Sequence, residues 1–324
     1  MSPEHDTPEH NTPELDVLVA GGGAAGLAAA VTLARARRSV TVVDSGRPRN
    51  APAEGVHALL GREGISPAEL LAAGRREALG YGAEVVDGEI TAVRRLADGR
   101  FQATLAGGED GSAGPVLTAR RLLIATGLTD ELPQLPGLAE HWGHNVIHCP
   151  YCHGWEVRDR SILALGTSPN SVHQALLFSQ LSADVTFLED TAHGPGLGAE
   201  ERRMLVARGI TVLAGEAAAV ESSEETGRLA GVRLADGELL PAEVLVVAPR
   251  MLANTEAFEP LGLQMEENPM GRFVSTQEMG HTTVPGVWAA GNSSDLSAQV
   301  GAAAAAGTMT AARINAEMVM EGLV

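Results

Sequence analysis

The sequence predicts an α/β protein of two three-layer nucleotide-binding units, the second inserted into the first, and three observations carry that expectation. A short apolar run, Asp16 to Ala20, leads into the glycine loop Gly21-Gly22-Gly23-Ala24-Ala25-Gly26, an apolar helix and a second strand that ends at Asp44. The same order recurs in degraded form from Ser161 to Leu188. The chain crosses back around Val244 to Asn254, and the tail from Val284 onward is left to complete the first unit. A length of 324 residues with 44% hydrophobic side chains suits two ordinary domains.

Residues 1–14 repeat Thr-Pro-Glu without a hydrophobic period, and proline blocks helix and ladder hydrogen bonds, so a disordered tail is expected there. The run from Asp16 to Ala20 reads as a short buried strand. The helix behind it is expected to reach about Arg38, the second strand to cover Ser39 to Val43, and a further helix to cover Pro67 to Leu79. From 84 to 124, short β-like runs alternate with Asp-Gly and Gly-Gly turns and finish in Leu122-Leu123-Ile124, the pattern of an antiparallel insertion. The prolines of Thr129 to Pro133 and Pro136 prevent either regular element from continuing, which marks a linker. Residues 15–130 and 249–324 are thus assigned to the first unit and 131–248 to the second. Within the second, strands are expected at Ser161 to Leu165 and Asp184 to Leu188, with a helix over about Ser171 to Leu181. Both units are Rossmann-like.

A formal charge of -18 repels phosphate backbones and anionic lipid, which argues against nucleic-acid and membrane partners and for a small-molecule substrate. No apolar run approaches the ~20 residues of a membrane span, and the first residues carry no signal-peptide pattern, so a cytoplasmic location is expected.

The two glycine loops differ in what they can hold. In the first, Gly21 makes the tight turn, Gly23 lets a pyrophosphate approach the backbone, Gly26 packs helix on strand, and Asp44 can hold a ribose hydroxyl. The second reads Gly166-Thr167-Ser168-Pro169-Asn170-Ser171. A Cβ at Ser168 intrudes on the pyrophosphate position, and Pro169 removes an N–H. The following strand ends in Glu189 and Asp190, whose carboxylates would repel a 2′-phosphate. NADPH is therefore disfavoured more than NADH, for which Glu189 is placed to hold a ribose, and productive binding of neither is expected.

The only two cysteines lie three apart, in His148-Cys149-Pro150-Tyr151-Cys152-His153. No other thiol competes for either, so a reversible dithiol is the simplest reading. His141, His144, His148 and His153 lie close by, which makes zinc conceivable, although no second Cys-x-x-Cys or spaced His pair completes a tetrahedron. His148 reads as a surface or capping residue. Tyr151, Trp142 and Trp155 cluster in sequence, either as core packing or as the lining of an apolar slot for a small flat dithiol.

The first glycine loop, Ile124-Ala125-Thr126-Gly127, and Gly286-Val287-Trp288-Ala289-Ala290-Gly291-Asn292 with Gln299-Val300-Gly301 resemble segments of flavin disulfide reductases. Cys149-Pro150-Tyr151-Cys152-His153-Gly154-Trp155-Glu156 resembles the redox segment of low-molecular-weight thioredoxin reductases. With the Asp44-Ser45-Gly46-Arg47-Pro48-Arg49-Asn50 segment and the broken second loop, the chain looks like the dithiol oxidases of holomycin and gliotoxin biosynthesis.

The resemblance implies FAD, held by Gly21, Gly23, Ala24, Ala25, Gly26, Asp44, Ser45, Arg49, Asn50, His57, Ile90, Ala125, Thr126, Gly127, Gly291, Asn292, Gln299 and Val300. His57 also reads as a solvated loop residue, and Asn292 stands where the family usually has aspartate. The helix after Gln299 would direct its positive end at the flavin. Cys152 would face the flavin, Cys149 would exchange with the dithiol, and His153, where the family commonly has aspartate, would act as general base. The implied activity closes a disulfide in a small-molecule dithiol, with molecular oxygen as acceptor and hydrogen peroxide as product. A homodimer is implied, and a fixed arrangement of the two units is expected. The alternatives left open are a thioredoxin reductase fed by NADH, NADPH or ferredoxin, and a non-catalytic zinc- or flavin-binding protein.

Overall fold

The computed structural model describes residues 15–108 and 112–323. The tail assigned to 1–14 lies outside the described residues. Strand β1 (Leu15–Ala20) leads through the glycine loop into helix α1 (Ala24–Arg35), and β2 (Val40–Asp44) returns parallel to it. The expected continuation of the helix to Arg38 fails because Arg37 turns left-handed, at φ 63°, and releases the chain toward β2. Helix α2 (Pro67–Gly80) has Ser66 as its N-cap, the hydroxyl accepting from the Glu69 N–H at 3.2 Å, with Pro67 in the first turn.

Strands β3 (Glu84–Asp87), β4 (Ile90–Arg95), β5 (Phe101–Leu105) and β6 (Val116–Ile124) follow. Strand β6 does two jobs along its length: Val116 to Ala119 pair antiparallel with β5, while Ala119 to Ile124 pair parallel with β1. The expected antiparallel insertion is thus continuous with the parallel sheet. Within β1 the pleat sorts side chains by face, Val17 and Val19 joining one core and Leu18 and Ala20 another. Being covered on both faces, the strand needs no polar alternation.

The segment read as a linker contains strand β7 (Leu128–Glu131), which stops ahead of Pro133. Beyond it come β8 (Val146–Ile147), the single-turn helix α3 (Pro150–His153), β9 (Ile162–Leu165), α4 (Ser171–Phe178), β10 (Val185–Asp190), α5 (Ala199–Ala207) and β11 (Thr211–Gly215). An antiparallel sheet of β12 (Ala217–Ser222), β13 (Leu229–Leu234) and β14 (Leu239–Pro241) precedes β15 (Val244–Val246). Strands β11-β10-β9-β15-β8 form a five-stranded sheet of parallel pairs. Leu163 and Leu165 face the β12–β14 side, and Ile162 and Ala164 face α4 and α5.

Strand β16 (Arg250–Ala253) crosses back antiparallel to β7, pairing Met251 with Asp130. The chain closes with β17 (Met265–Asn268), β18 (Gly271–Val274), β19 (Val287–Ala289) and helix α6 (Val300–Met320). Strand β19 pairs with β6 and completes the seven-stranded sheet. Helix α6 lies against α1, so close that a Cβ at Gly307 would overlap the Ala25 carbonyl. Its alanine-rich start is the tight packing face of this pair. Among the described residues no helix is long and apolar enough to cross a membrane.

Candidate active site

The first glycine loop is shaped by two contacts that exclude side chains. Gly21 has φ 105°, and a Cβ there would strike the Ala125 carbonyl; a Cβ at Gly26 would overlap the Gly21 carbonyl oxygen. Gly23, the N-cap of α1, is open, with nothing within 4 Å of a built Cβ. Ala24 and Ala25 begin a helix whose first turn carries no acid, so its positive end remains available to an anion. Asp44 pins the loop by accepting from the N–H groups of Gly22 at 3.2 Å and Gly46 at 3.3 Å, both on Oδ1. Its Oδ2 is left for a ribose. This cradle fits a dinucleotide.

Ala125, Thr126 and Gly127 flank it at the end of β6. The Thr126 hydroxyl donates to the Asn254 carbonyl at 2.6 Å, and the Gly127 N–H donates to the Ser293 hydroxyl at 2.9 Å. Neither Asn254 nor Ser293 is among the expected site residues, having no motif of its own. Gly291 lies beside Ala25, and Gln299 caps α6 ahead of Val300. The Asn292 amide donates to the carbonyls of Asp295 (2.9 Å), Leu296 (3.4 Å) and Ala298 (3.0 Å). An aspartate has no donor for these oxygens, so asparagine here holds the entrance to α6. Ser45 is exposed, Asn50 lies in a turn, and Ile90 is half-buried in the cluster under the β4–β6 meander.

Arg49, expected as a cofactor contact, is also engaged within the protein. Its guanidinium grips Asp130 with two bonds of 2.7 Å, and the same Nη2 lies 3.3 Å from His148 Nε2 and from Met251 Sδ. Only Nη1 is left to reach elsewhere.

Cys149 and Cys152 are joined as a disulfide with Cα atoms 5.2 Å apart. Cys149 caps α3, its sulfur accepting from the Cys152 N–H at 3.1 Å. Both ring nitrogens of His153 are buried without a hydrogen-bond partner. Burial holds its pKa below the usual histidine value, aided by His57 and His144 and opposed by Glu156, so the ring is neutral at pH 7 and available as a base. His57 is not a free loop residue: Nδ1 bonds Glu63 at 2.6 Å, and Nε2 stands 3.6 Å from Glu156, which joins its loop to the segment after the cysteines.

The other histidines disperse. His141 is a core residue bonded to the Ser222 hydroxyl at 2.8 Å, and His144 is exposed. His148 stacks on Trp142 at 5.5 Å, and burial with the Arg49 charge pushes its pKa down to about 4. It is therefore no surface or capping residue. Among the described residues no group of three or more His, Cys, Asp or Glu could hold a metal ion. Core packing describes Trp142 alone; Tyr151 and Trp155 are 64% and 66% exposed, and Arg158 lies over the Trp155 ring.

The second glycine loop is closed by its own residues. The Ser168 hydroxyl accepts from the Asn170 N–H at 3.3 Å, and the Ser168 N–H donates to Ser171 at 3.2 Å. Glu189 accepts from the Leu197 N–H at 3.0 Å on one oxygen and from Arg202 on the other. A small, partly open pocket remains between Gly166, Ser168, Glu189 and Leu197. Asp190, expected to stand beside Glu189 against a phosphate, turns inward and binds the N–H groups of Ala192 and His193 and the His193 ring.

A family model for pyridine nucleotide-disulphide oxidoreductases matches residues 15–308. The chain belongs to that family. It is an FAD-binding disulfide oxidoreductase of the thioredoxin-reductase-like, two-unit Rossmann type. It is 30% identical over 289 residues to thioredoxin reductase tcpT of Claviceps purpurea, covering 86% of each chain, and 31% identical over 287 residues to thioredoxin reductase aclD of Aspergillus oryzae, covering 86% of this chain and 88% of that one. The crystal structure of HlmI superposes with a TM-score of 0.87 at 42% identity, over 96% of this chain and 94% of that one. Family membership removes the non-catalytic alternative.

Proposed function

We propose that the protein oxidises a small-molecule dithiol to its intramolecular disulfide, with molecular oxygen as terminal acceptor and hydrogen peroxide as second product. The observation that carries this reading is the second loop: Ser168 and Ser171 bond within the loop itself and both Glu189 oxygens are engaged by the Leu197 N–H and Arg202, so the chain keeps a flavin cradle and a dithiol while the groups that would hold a pyridine nucleotide are turned to one another. The resemblance to the dithiol oxidases of holomycin and gliotoxin biosynthesis supports the same direction of electron flow. In this reading residues 15–130 and 249–324 carry the cofactor, 131–248 carry the dithiol, and the enzyme works as a cytoplasmic homodimer.

One thiol of the substrate gives its proton to neutral His153 and attacks Cys149, breaking the bond to Cys152, which leaves as a thiolate. The second substrate thiol attacks the substrate sulfur of the mixed disulfide, releasing the cyclised product and Cys149, which takes up that thiol's proton. FAD held by the first loop would supply the two-electron acceptor for the Cys149–Cys152 dithiol, with oxygen as the terminal acceptor. Tyr151 and Trp155, exposed in the segment that carries the two cysteines, offer apolar faces to a flat substrate. Substitution His153→Ala is expected to slow dithiol oxidation roughly 10²- to 10⁴-fold.

Anaerobic mixing tests the proposal. A dithiol should bleach the flavin while NADPH and NADH leave it oxidised, and in air oxygen uptake should match peroxide one to one. Rapid bleaching by NADPH would instead favour a thioredoxin reductase, the name carried by the fungal relatives.

A further inference from the structure

We propose that Arg49 is a positioning residue that clamps the cysteine segment to the loop following β2. Four stretches distant in sequence meet at its guanidinium. Asp130 in β7 receives both arms of the fork at 2.7 Å, and with its side chain only 7% exposed it depends on that cation in place of water. Met251 in β16, the residue paired with Asp130, places its sulfur 3.3 Å from Nη2. The guanidinium thus sits on both strands by which the chain crosses between the two parallel sheets.

The fourth stretch is the one that carries the chemistry. His148 immediately precedes Cys149, and its Nε2 lies 3.3 Å from the same Nη2. An arginine can only donate, so Nε2 is the acceptor and the His148 proton resides on Nδ1. Trp142 stacks on the ring, and Gln174 donates to the His148 carbonyl at 2.8 Å and to that of Val247 at 3.2 Å. The backbone entering Cys149 is fixed from the ring side by Arg49 and Trp142 and from the carbonyl side by Gln174. A swing of the β8–β11 sheet about the β7–β16 ribbon would pull His148 off Arg49. The clamp therefore presents the disulfide in one orientation, and it deepens the oxidase reading, on which it rests for its substrate: a dithiol small enough to come to a held disulfide.

The test uses the FAD-loaded enzyme with 15N-labelled histidine. In the unaltered protein His148 should be the neutral Nδ1–H tautomer down to about pH 4. Arg49→Met should return its titration toward the ordinary histidine value, enlarge the radius of gyration in X-ray scattering, and lower kcat for dithiol oxidation roughly ten- to a hundredfold with KM nearly unchanged. Arg49→Lys keeps the charge without the fork and should recover only part of kcat, while Asp130→Asn gives an independent, milder loosening should Arg49→Met fail to fold. An unshifted His148 and unchanged scattering in these variants would overturn the clamp. So would loss of FAD from Arg49→Met while Asp130→Asn leaves His148 as in the parent, since Arg49 would then be a cofactor contact. The His148 titration and the scattering require no turnover, so the clamp and the oxidase reading can fail separately.

Discussion

The two glycine loops share a strand-turn-helix path and an acid at the end of the next strand, yet one is an open cradle and the other is plugged. At Gly23 a side chain would meet empty space; in the second loop the Ser168 hydroxyl and N–H are already bonded to Asn170 and Ser171. The acids divide in the same way. Asp44 spends one carboxylate oxygen on its own loop and keeps the other, whereas both oxygens of Glu189 are taken by the Leu197 N–H and Arg202. A Rossmann backbone is thus no guarantee of a nucleotide: a few side chains decide whether its N–H groups and its acid face a ligand or each other.

The sharpest break of this comparison is Gly26→Ala. Its Cβ would overlap the Gly21 carbonyl, so the protein should purify without bound FAD, read at 450 nm, and lose about 1–3 kcal/mol of stability. Retention of FAD would mean that the first loop tolerates what the second contains. The next is the plug itself. NADPH should bind the parent more weakly than about 1 mM by calorimetry, and Ser168→Gly alone should not rescue it, because Pro169 and the Glu189–Arg202 pair remain. A triple change that also removes Pro169 and Glu189 should open a measurable site.

A third test concerns the segment between the loops. His148 has a pKa near 4 in the folded protein against about 6.5 unfolded, so the unfolded chain binds the extra proton. Its contribution is fully present above pH 6.5 and is lost as pH falls toward 4, up to about 3 kcal/mol by denaturant titration. His148→Gln should flatten that slope. The smallest effect is expected for Asn292→Asp: three carbonyls lose their donor, at about 1–3 kcal/mol, or a few degrees in Tm. An unchanged Tm would mean that the loop before α6 is held by other contacts.

Legibility in the sequence followed the range of the interaction. The glycine loop, the degraded second loop and the Cys149–Cys152 pair are local patterns, and β1, β2, α2, β9 and β10 lie within a few residues of their expected positions. The strand within the linker was not legible because proline at 133 speaks only for itself, while β7 exists through pairing with β16 more than a hundred residues later. Asn254, Ser293 and Gly307 carry no local signal; each acquires its role from a partner brought close by folding. The same holds for Arg49, whose neighbours in sequence say nothing of Asp130 or His148.

By itself the sequence determined the α/β class, the βαβ units and the redox pair, because periodicity, glycine sterics and thiol spacing act over a few residues. Only the tertiary structure decided which polar groups are satisfied by one another and which stay free for a ligand. That division depends on where distant donors and acceptors meet once water is excluded, and no spacing along the chain records it.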